Sequence, residues 1–168
     1  MTLCTTIDSP LGELLLVGEK SATANGGTAL ASLSLRGRKG GATVQDGWSE
    51  DAEAFTEIAA QLRSYFDGKR TRFDVELLVT GSDFQRQVWN ALETIPYGKT
   101  LSYGDIATQI GAPRAAVRAV GTAIGANPLL VVRPCHRVIG ADGSLTGYAG
   151  GLERKRQLLT HEGVLQAA

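Results

Sequence analysis

Cysteine is scarce in this chain: Cys4 and Cys135 are the two thiols among 168 residues. Two cysteines cannot build a disulfide framework, and no charged start followed by a long apolar stretch marks a secretory signal, so a reducing cytoplasm is the expected setting. Histidine is equally sparse, with His136 and His161 alone. Cys135 and His136 are adjacent while Cys4 and His161 stand isolated, which fits no usual zinc spacing, so no metal is expected. Long hydrophobic runs are missing as well. The strongest, Leu14-Leu15-Leu16-Val17, falls far short of the roughly 20 apolar residues that span a bilayer, and no membrane role is expected. No cofactor motif occurs, and none is expected to be bound.

Net charge is also absent, at 17 basic against 17 acidic side chains. The two halves differ, however: residues 1–79 carry 8 basic and 11 acidic groups, residues 80–168 carry 9 and 6. A second half at +3 suits an anionic partner such as DNA, although an asymmetry of this size is common on surfaces that bind nothing.

The first third reads as strands over 3–7, 13–17 and 29–35, with Ser9-Pro10-Leu11-Gly12 as the first turn. Residues 36–47 hold four glycines without an apolar period and read as a mobile loop. Ser49 is placed to cap a helix that presents Phe55, Ile58, Ala59, Leu62 and Phe66 on one face, and 73–79 reads as a further strand. Thr80-Gly81 is the expected boundary. Beyond it the period is helical: Ser82 and Gln85 form a capping box, Ser102 and Asp105 a second cap, and Gly111 a stop. A helix over 114–124 follows the corner Ala112-Pro113, and 129–132 reads as extended. The expected fold class is therefore α/β: a small N-terminal domain of mixed sheet and helix over 1–79, then a mostly helical C-terminal domain over 80–168 with a helix-turn-helix.

The second helix of that pair is rich in small residues, Ala115, Ala116, Ala119, Gly121 and Ala123, with Arg118 as its long basic side chain. Small residues permit close approach, either to a neighbouring helix or to a DNA groove. Further on, Pro134-Cys135-His136-Arg137 sets a thiol directly before an imidazole. On its own this dipeptide describes first a buried cysteine beside a surface histidine, and only with support from its neighbourhood an activated nucleophile.

Several segments decide between these readings. Ile95-Pro96-Tyr97-Gly98-Lys99-Thr100, Arg118-Ala119-Val120-Gly121, Asn127-Pro128, Pro134-Cys135-His136-Arg137-Val138-Ile139, Gly147-Tyr148-Ala149-Gly150-Gly151 and Leu158-Leu159-Thr160-His161-Glu162 resemble, in order and spacing, the O6-alkylguanine-DNA alkyltransferases. The resemblance is dense over 84–163. It implies single-turnover DNA repair, in which the alkyl group on guanine O6 of double-stranded DNA passes irreversibly to Cys135 after base flipping. By the same resemblance His136 takes the thiol proton through a water, and Glu162 orients the imidazole. Tyr103 donates to the purine, the backbone N–H groups of Val138 and Ala149 hold its O6 edge, and Tyr148 lines the pocket. Arg118 fills the place of the extruded base, with Ala119 and Gly121 on the same DNA-facing helix. Asn127 ties that helix pair to the active-site loop. Lys155 matches a family position read as structural or phosphate-contacting. The protein is expected to be monomeric off DNA.

Three positions depart from the family pattern. Cys4 lacks the partners that hold a structural zinc in some relatives. Arg133 stands where relatives have an apolar residue, and either points to solvent or adds charge near the thiol. Ile124 stands where many bacterial relatives carry asparagine. Two other classes share parts of this sequence: a non-catalytic DNA-binding module, against which the retained Cys135 argues, and a cysteine hydrolase built on Cys135, His136 and Glu162.

Overall fold

The computed structural model describes residues 1–36 and 44–166. The chain divides into two compact units, Met1–Val79 and Thr80–Ala168. Most of the loop expected over 36–47 lies outside the described residues.

In the first unit, β1 (Thr2–Ser9) and β2 (Gly12–Lys20) form a hairpin around Pro10 and Leu11, with Ser9 opposite Gly12. β3 (Thr28–Leu35) pairs antiparallel with β2, and β4 (Ser49–Glu50) lies parallel to β1, giving the order β3-β2-β1-β4. The run Leu14 to Val17 is continuously apolar because β2 is an interior strand buried on both faces. Leu15 and Val17 pack with Cys4, Ala31 and Trp48. Where β2 slips register against β3, a Cβ on Gly18 would come within 2.4 Å of Ala29 O, so the slip requires glycine.

Two expectations for this unit are overturned. Ser49 does not cap the helix α1 (Thr56–Phe66), because it is paired with Leu3 in β4. The 3-10 turn Glu53–Phe55 leads into α1, and Asp51 Oδ1 accepts the Ala54 N–H at 3.2 Å. The helix does bury Ile58, Ala59 and Leu62, with Tyr65 fully inside and Phe66 only half so. The segment 73–79 is not a strand but a single parallel bridge between Leu30 and Leu77, held by N–H···O bonds of 2.8 and 2.9 Å. It meets the edge of β3 at one residue and then turns outward, leaving Val79 80% exposed.

The second unit begins with α2 (Asp83–Leu92). Its capping box is complete: Ser82 Oγ accepts the Gln85 N–H at 3.2 Å and Gln85 Oε1 accepts the Ser82 N–H at 3.0 Å. β5 (Leu101–Ser102) then leads directly into α3 (Tyr103–Gln109), whose own box joins Ser102 and Asp105 at 3.0 and 2.8 Å. The 3-10 turn Arg114–Ala116 precedes α4 (Val117–Gly125), so the helix expected over 114–124 tightens in its first turn. β6 (Val138–Ile139) pairs parallel with β5, and α5 (Leu152–His161) follows. Val88, Leu92, Ile106, Val120, Leu129, Val138, Leu158 and Leu159 are buried in this unit.

Ser102 thus ends a strand and caps a helix, and the pairing of β5 with β6 sets the start of α3 beside the segment that follows Cys135. Ser102→Ala is expected to cost about 1 kcal/mol, read as a lower urea midpoint at unchanged slope.

Candidate active site

The chain leaving α4 does not run extended through 129–132. Asn127 is buried and organises it: Asn127 Nδ2 donates to Leu129 O (3.3 Å) and Arg133 O (3.1 Å), while its Oδ1 accepts the Leu129 N–H (3.0 Å). Val131 is forced to φ 68°, a region a β-branched residue avoids, and the Val132 N–H closes on Leu130 O at 2.7 Å. Such conformations cost about 1–3 kcal/mol and concentrate at functional sites. A second tight turn at Pro134 brings the Cys135 N–H to Arg133 O at 2.7 Å and starts the 3-10 turn Cys135–Arg137.

Cys135 is buried, and burial pushes its thiol up to about 11. A hydrogen bond from Asn127 and the charges of Lys155 and Arg133 oppose that rise. The thiol is therefore protonated at neutral pH and needs a base. His136 is fully buried, and desolvation holds its imidazole below the ordinary value although Glu162 pulls it back up. His136 Nε2 lies 2.7 Å from Glu162 Oε2. A carboxylate partner assigns the proton to Nε2 and leaves Nδ1 as the acceptor, and Nδ1 is buried with no hydrogen-bond partner among the described residues.

Glu162 also serves a cation that the sequence motifs do not reveal. Arg137 Nε and Nη2 reach its two oxygens at 2.7 and 3.0 Å, and Arg137 Nη1 donates to Ile95 O at 2.7 Å. The carboxylate is thus clamped between an imidazole and a bidentate guanidinium, all three buried. Helix α5 and its C-cap place this carboxylate on one stripe, Lys155, Leu158, Leu159 and Glu162, spaced i, i+3, i+4, i+7 and all buried.

Lys155 is not a phosphate contact, since it is wholly buried. Its Nζ donates to Thr146 O (2.7 Å) and Gly147 O (3.2 Å), and burial lowers its pKa to about 8. Thr146 O also accepts the Tyr103 hydroxyl at 3.1 Å, so Tyr103, Lys155 and the loop carrying Tyr148 and Ala149 meet at one carbonyl. Tyr103 and Tyr148 are half-buried and Ala149 is exposed. Val138 departs from expectation: its N–H donates to Cys135 O, closing the 3-10 turn, and so is already engaged.

Arg118 and Ala119 lie exposed on α4, whereas Val120 and Ala123 on the same helix face inward. Trp89 Nε1 donates to Ala123 O at 2.8 Å, tying α2 to α4. Of the small residues, Ala123 packs inward and Ala119 is exposed. Gly121 lies beside Tyr103, whose ring atoms would sit 3.9 Å from a Cβ there. Among the described residues no three His, Cys, Asp or Glu side chains are grouped to hold a metal, and no helix is long and apolar enough to cross a membrane.

Residues 83–164 match the family model described as 6-O-methylguanine DNA methyltransferase, DNA binding domain, and residues 2–79 match its ribonuclease-like domain. A methylated-DNA–protein-cysteine methyltransferase of Mycolicibacterium paratuberculosis is 52% identical over 94% of this chain and 90% of its own length. Another, from Methanosarcina acetivorans, is 47% identical over 93% and 95%. The crystal structure of Mycobacterium tuberculosis OGT in complex with DNA superposes with a TM-score of 0.86 at 50% identity, covering 96% of this chain and 93% of that one. With both units matched and half the residues shared along nearly the whole length, the chain belongs to the 6-O-methylguanine DNA methyltransferase family.

Proposed function

We propose that this protein repairs DNA by moving the alkyl group of O6-alkylguanine onto Sγ of its own Cys135, once per molecule. The observation that carries the reading is a buried cysteine whose neighbouring imidazole has one nitrogen bound to a buried carboxylate and the other unpaired among the described residues.

The chemistry is an in-line displacement. The Cys135 proton leaves through a water to His136 Nδ1, and the sulfur lone pair attacks the alkyl carbon. The carbon–O6 bond breaks, its electron pair moves into the purine, and the Tyr103 hydroxyl exchanges Thr146 O for the ring to supply a hydrogen bond or proton. Glu162 stabilises the imidazolium, with Arg137 holding the carboxylate in place. The Ala149 N–H and Tyr148 are the remaining pocket contacts from the 146–150 loop. The product thioether offers water no route of release, which makes the reaction stoichiometric and disfavours a hydrolase. In this reading residues 1–79 support the 80–168 unit, and the protein works in the cytoplasm, a compartment in which an acceptor thiol stays reduced.

The test is direct. Incubation with duplex DNA containing O6-methylguanine, followed by digestion and weighing of the Cys135 peptide, is expected to show one added methyl group per molecule. An unmodified peptide sinks the proposal in favour of a non-catalytic binding module, and multiple turnover on an ester or amide establishes a hydrolase.

The exposed Arg118 is assigned to flipping rather than to chemistry. Arg118→Ala is expected to slow transfer from duplex DNA on the order of tenfold or more, the scale of lost unstacking energy, while transfer from free O6-benzylguanine stays unchanged. Equal slowing on both substrates removes the assignment.

A further inference from the structure

Arg133 is the least explained charge near the reacting sulfur. Its side chain is 8% exposed and held from three sides. The guanidinium carbon lies 4.9 Å from the centre of the Trp89 ring, Nη1 donates to Asn127 Oδ1 at 3.4 Å, and Glu93 Oε2 lies 3.7 Å from Nε, an ion-pair distance too long for a hydrogen bond. Trp89 is itself locked, by its bond to Ala123 O and by Gly81, where any Cβ would come within 2.7 Å of the ring. The backbone carbonyl of Arg133 accepts from both Asn127 Nδ2 and the Cys135 N–H.

Burying a guanidinium is costly unless its charge is used or paired, and here the carboxylate of Glu93 is 40% exposed and at long range. From this geometry we propose that Arg133 is a positioning residue for the alkyl transfer. It fixes the Asn127 amide with its NH₂ toward the Cys135 turn and places a permanent positive charge beside that turn, setting the pH range in which Cys135 accepts an alkyl group. The inference rests on Cys135 being the acceptor.

The other side chains acting on the thiol are Lys155, from α5, and Asn127, from the end of α4. His136 follows in the turn and is held by Glu162, with Arg137 and Lys155 as the cations acting on it. Of these Lys155 is the other cation acting on the thiol, and its lowered pKa of about 8 means that it loses charge as pH rises, whereas the Arg133 guanidinium, though burial lowers it too, starts from a far higher value. Arg133 is therefore the cation still present where the thiol ionises. Glu93 faces Arg133 from the C-terminal end of α2 and partly cancels it.

This arrangement predicts shifts of opposite sign. The rate of Cys135 alkylation by iodoacetamide is measured against pH in the intact protein, with the modified cysteine identified by peptide mass, and methyl transfer from duplex DNA is followed in parallel. Arg133→Met is expected to move the midpoint up by about one pH unit, a rate about tenfold lower at neutral pH, since less positive charge disfavours the thiolate. Glu93→Gln is expected to move it down, because an unopposed guanidinium favours the thiolate. Should Arg133→Met fail to fold, Glu93→Gln at its half-exposed site decides alone. An unchanged midpoint, or a shift of the same sign in both, overturns the proposal. Opposite iodoacetamide shifts in a protein that leaves O6-methylguanine untouched support the role of Arg133 and count against the repair reading instead.

Discussion

Cys135→Ser is expected to abolish alkyl transfer while leaving the protein folded and bound to DNA. The substitution changes one atom in a turn held by backbone bonds from Pro134 and Arg133 and by Asn127, so neither packing nor the exposed face of α4 is disturbed. What is lost is the nucleophile. A hydroxyl ionises far less readily than a thiol, and the same burial that raises Cys135 to about 11 opposes an alkoxide still more. Transfer is expected to fall by more than about a thousandfold, to no adduct by peptide mass, with binding to lesion DNA within about twofold of the parent. Cys4→Ser is the matched control. Cys4 is packed with Leu15 and Val17 in the first unit, where burial raises its thiol, and its loss is expected to leave the Cys135 adduct intact. A methyl group found on Cys4 rather than Cys135 would reverse the assignment. The acid limb of the transfer rate checks the base independently. His136 acts as a base only when neutral, and its pKa is held below the ordinary imidazole value. The acid limb of the rate should therefore have its midpoint below the ordinary imidazole value, the rate falling as the imidazole takes up a proton. A midpoint above the ordinary imidazole value would remove His136 from this role.

Much of this molecule can be read from local signals. The two capping boxes at Ser82 and Ser102 are written in residues three apart, and the structure forms both. Hairpin β1–β2 follows from Pro10 and Gly12 between two strand-like runs. The failures have a shared cause, which is that a tertiary partner overrides the local preference. Ser49 is a good cap by composition, yet a parallel neighbour in β1 claims its backbone. Residues 129–132 look extended because they are apolar, but Asn127 supplies both a donor and an acceptor that fold them into turns, and one buried amide leaves no periodic trace. The site is partly legible in the same sense. The family resemblance singles out Cys135, His136, Glu162 and Asn127, and the structure brings them together. It does not single out Arg137 as a partner of Glu162, and it leaves Lys155 open to a phosphate role, because a charged residue in sequence reads as surface. The stripe of Lys155, Leu158, Leu159 and Glu162 contains the correcting signal, since both charges share the apolar face of α5.

Glu162→Gln separates what this buried carboxylate does for stability from what it does for chemistry. The amide keeps the shape but not the charge, and it leaves the Arg137 guanidinium desolvated with Ile95 O and a neutral oxygen as acceptors. Removing one member of a buried pair costs about 3–5 kcal/mol, a large part of the roughly 5–15 kcal/mol that holds a domain together. A marked fall in Tm is the expected result, accompanied by loss of transfer because His136 loses the group that fixes its tautomer. The two losses are expected to part in the double variant Glu162→Met with Arg137→Met. Replacing both ions with apolar side chains of similar size removes the uncompensated charge, so most of the stability should return. Transfer should not return with it, because Nε2 of His136 then has no acceptor and nothing stabilises the imidazolium. A double variant that regained both stability and transfer would show that Glu162 serves only to neutralise Arg137. Recovery of stability alone would leave Glu162 as the group that readies His136 to take the Cys135 proton.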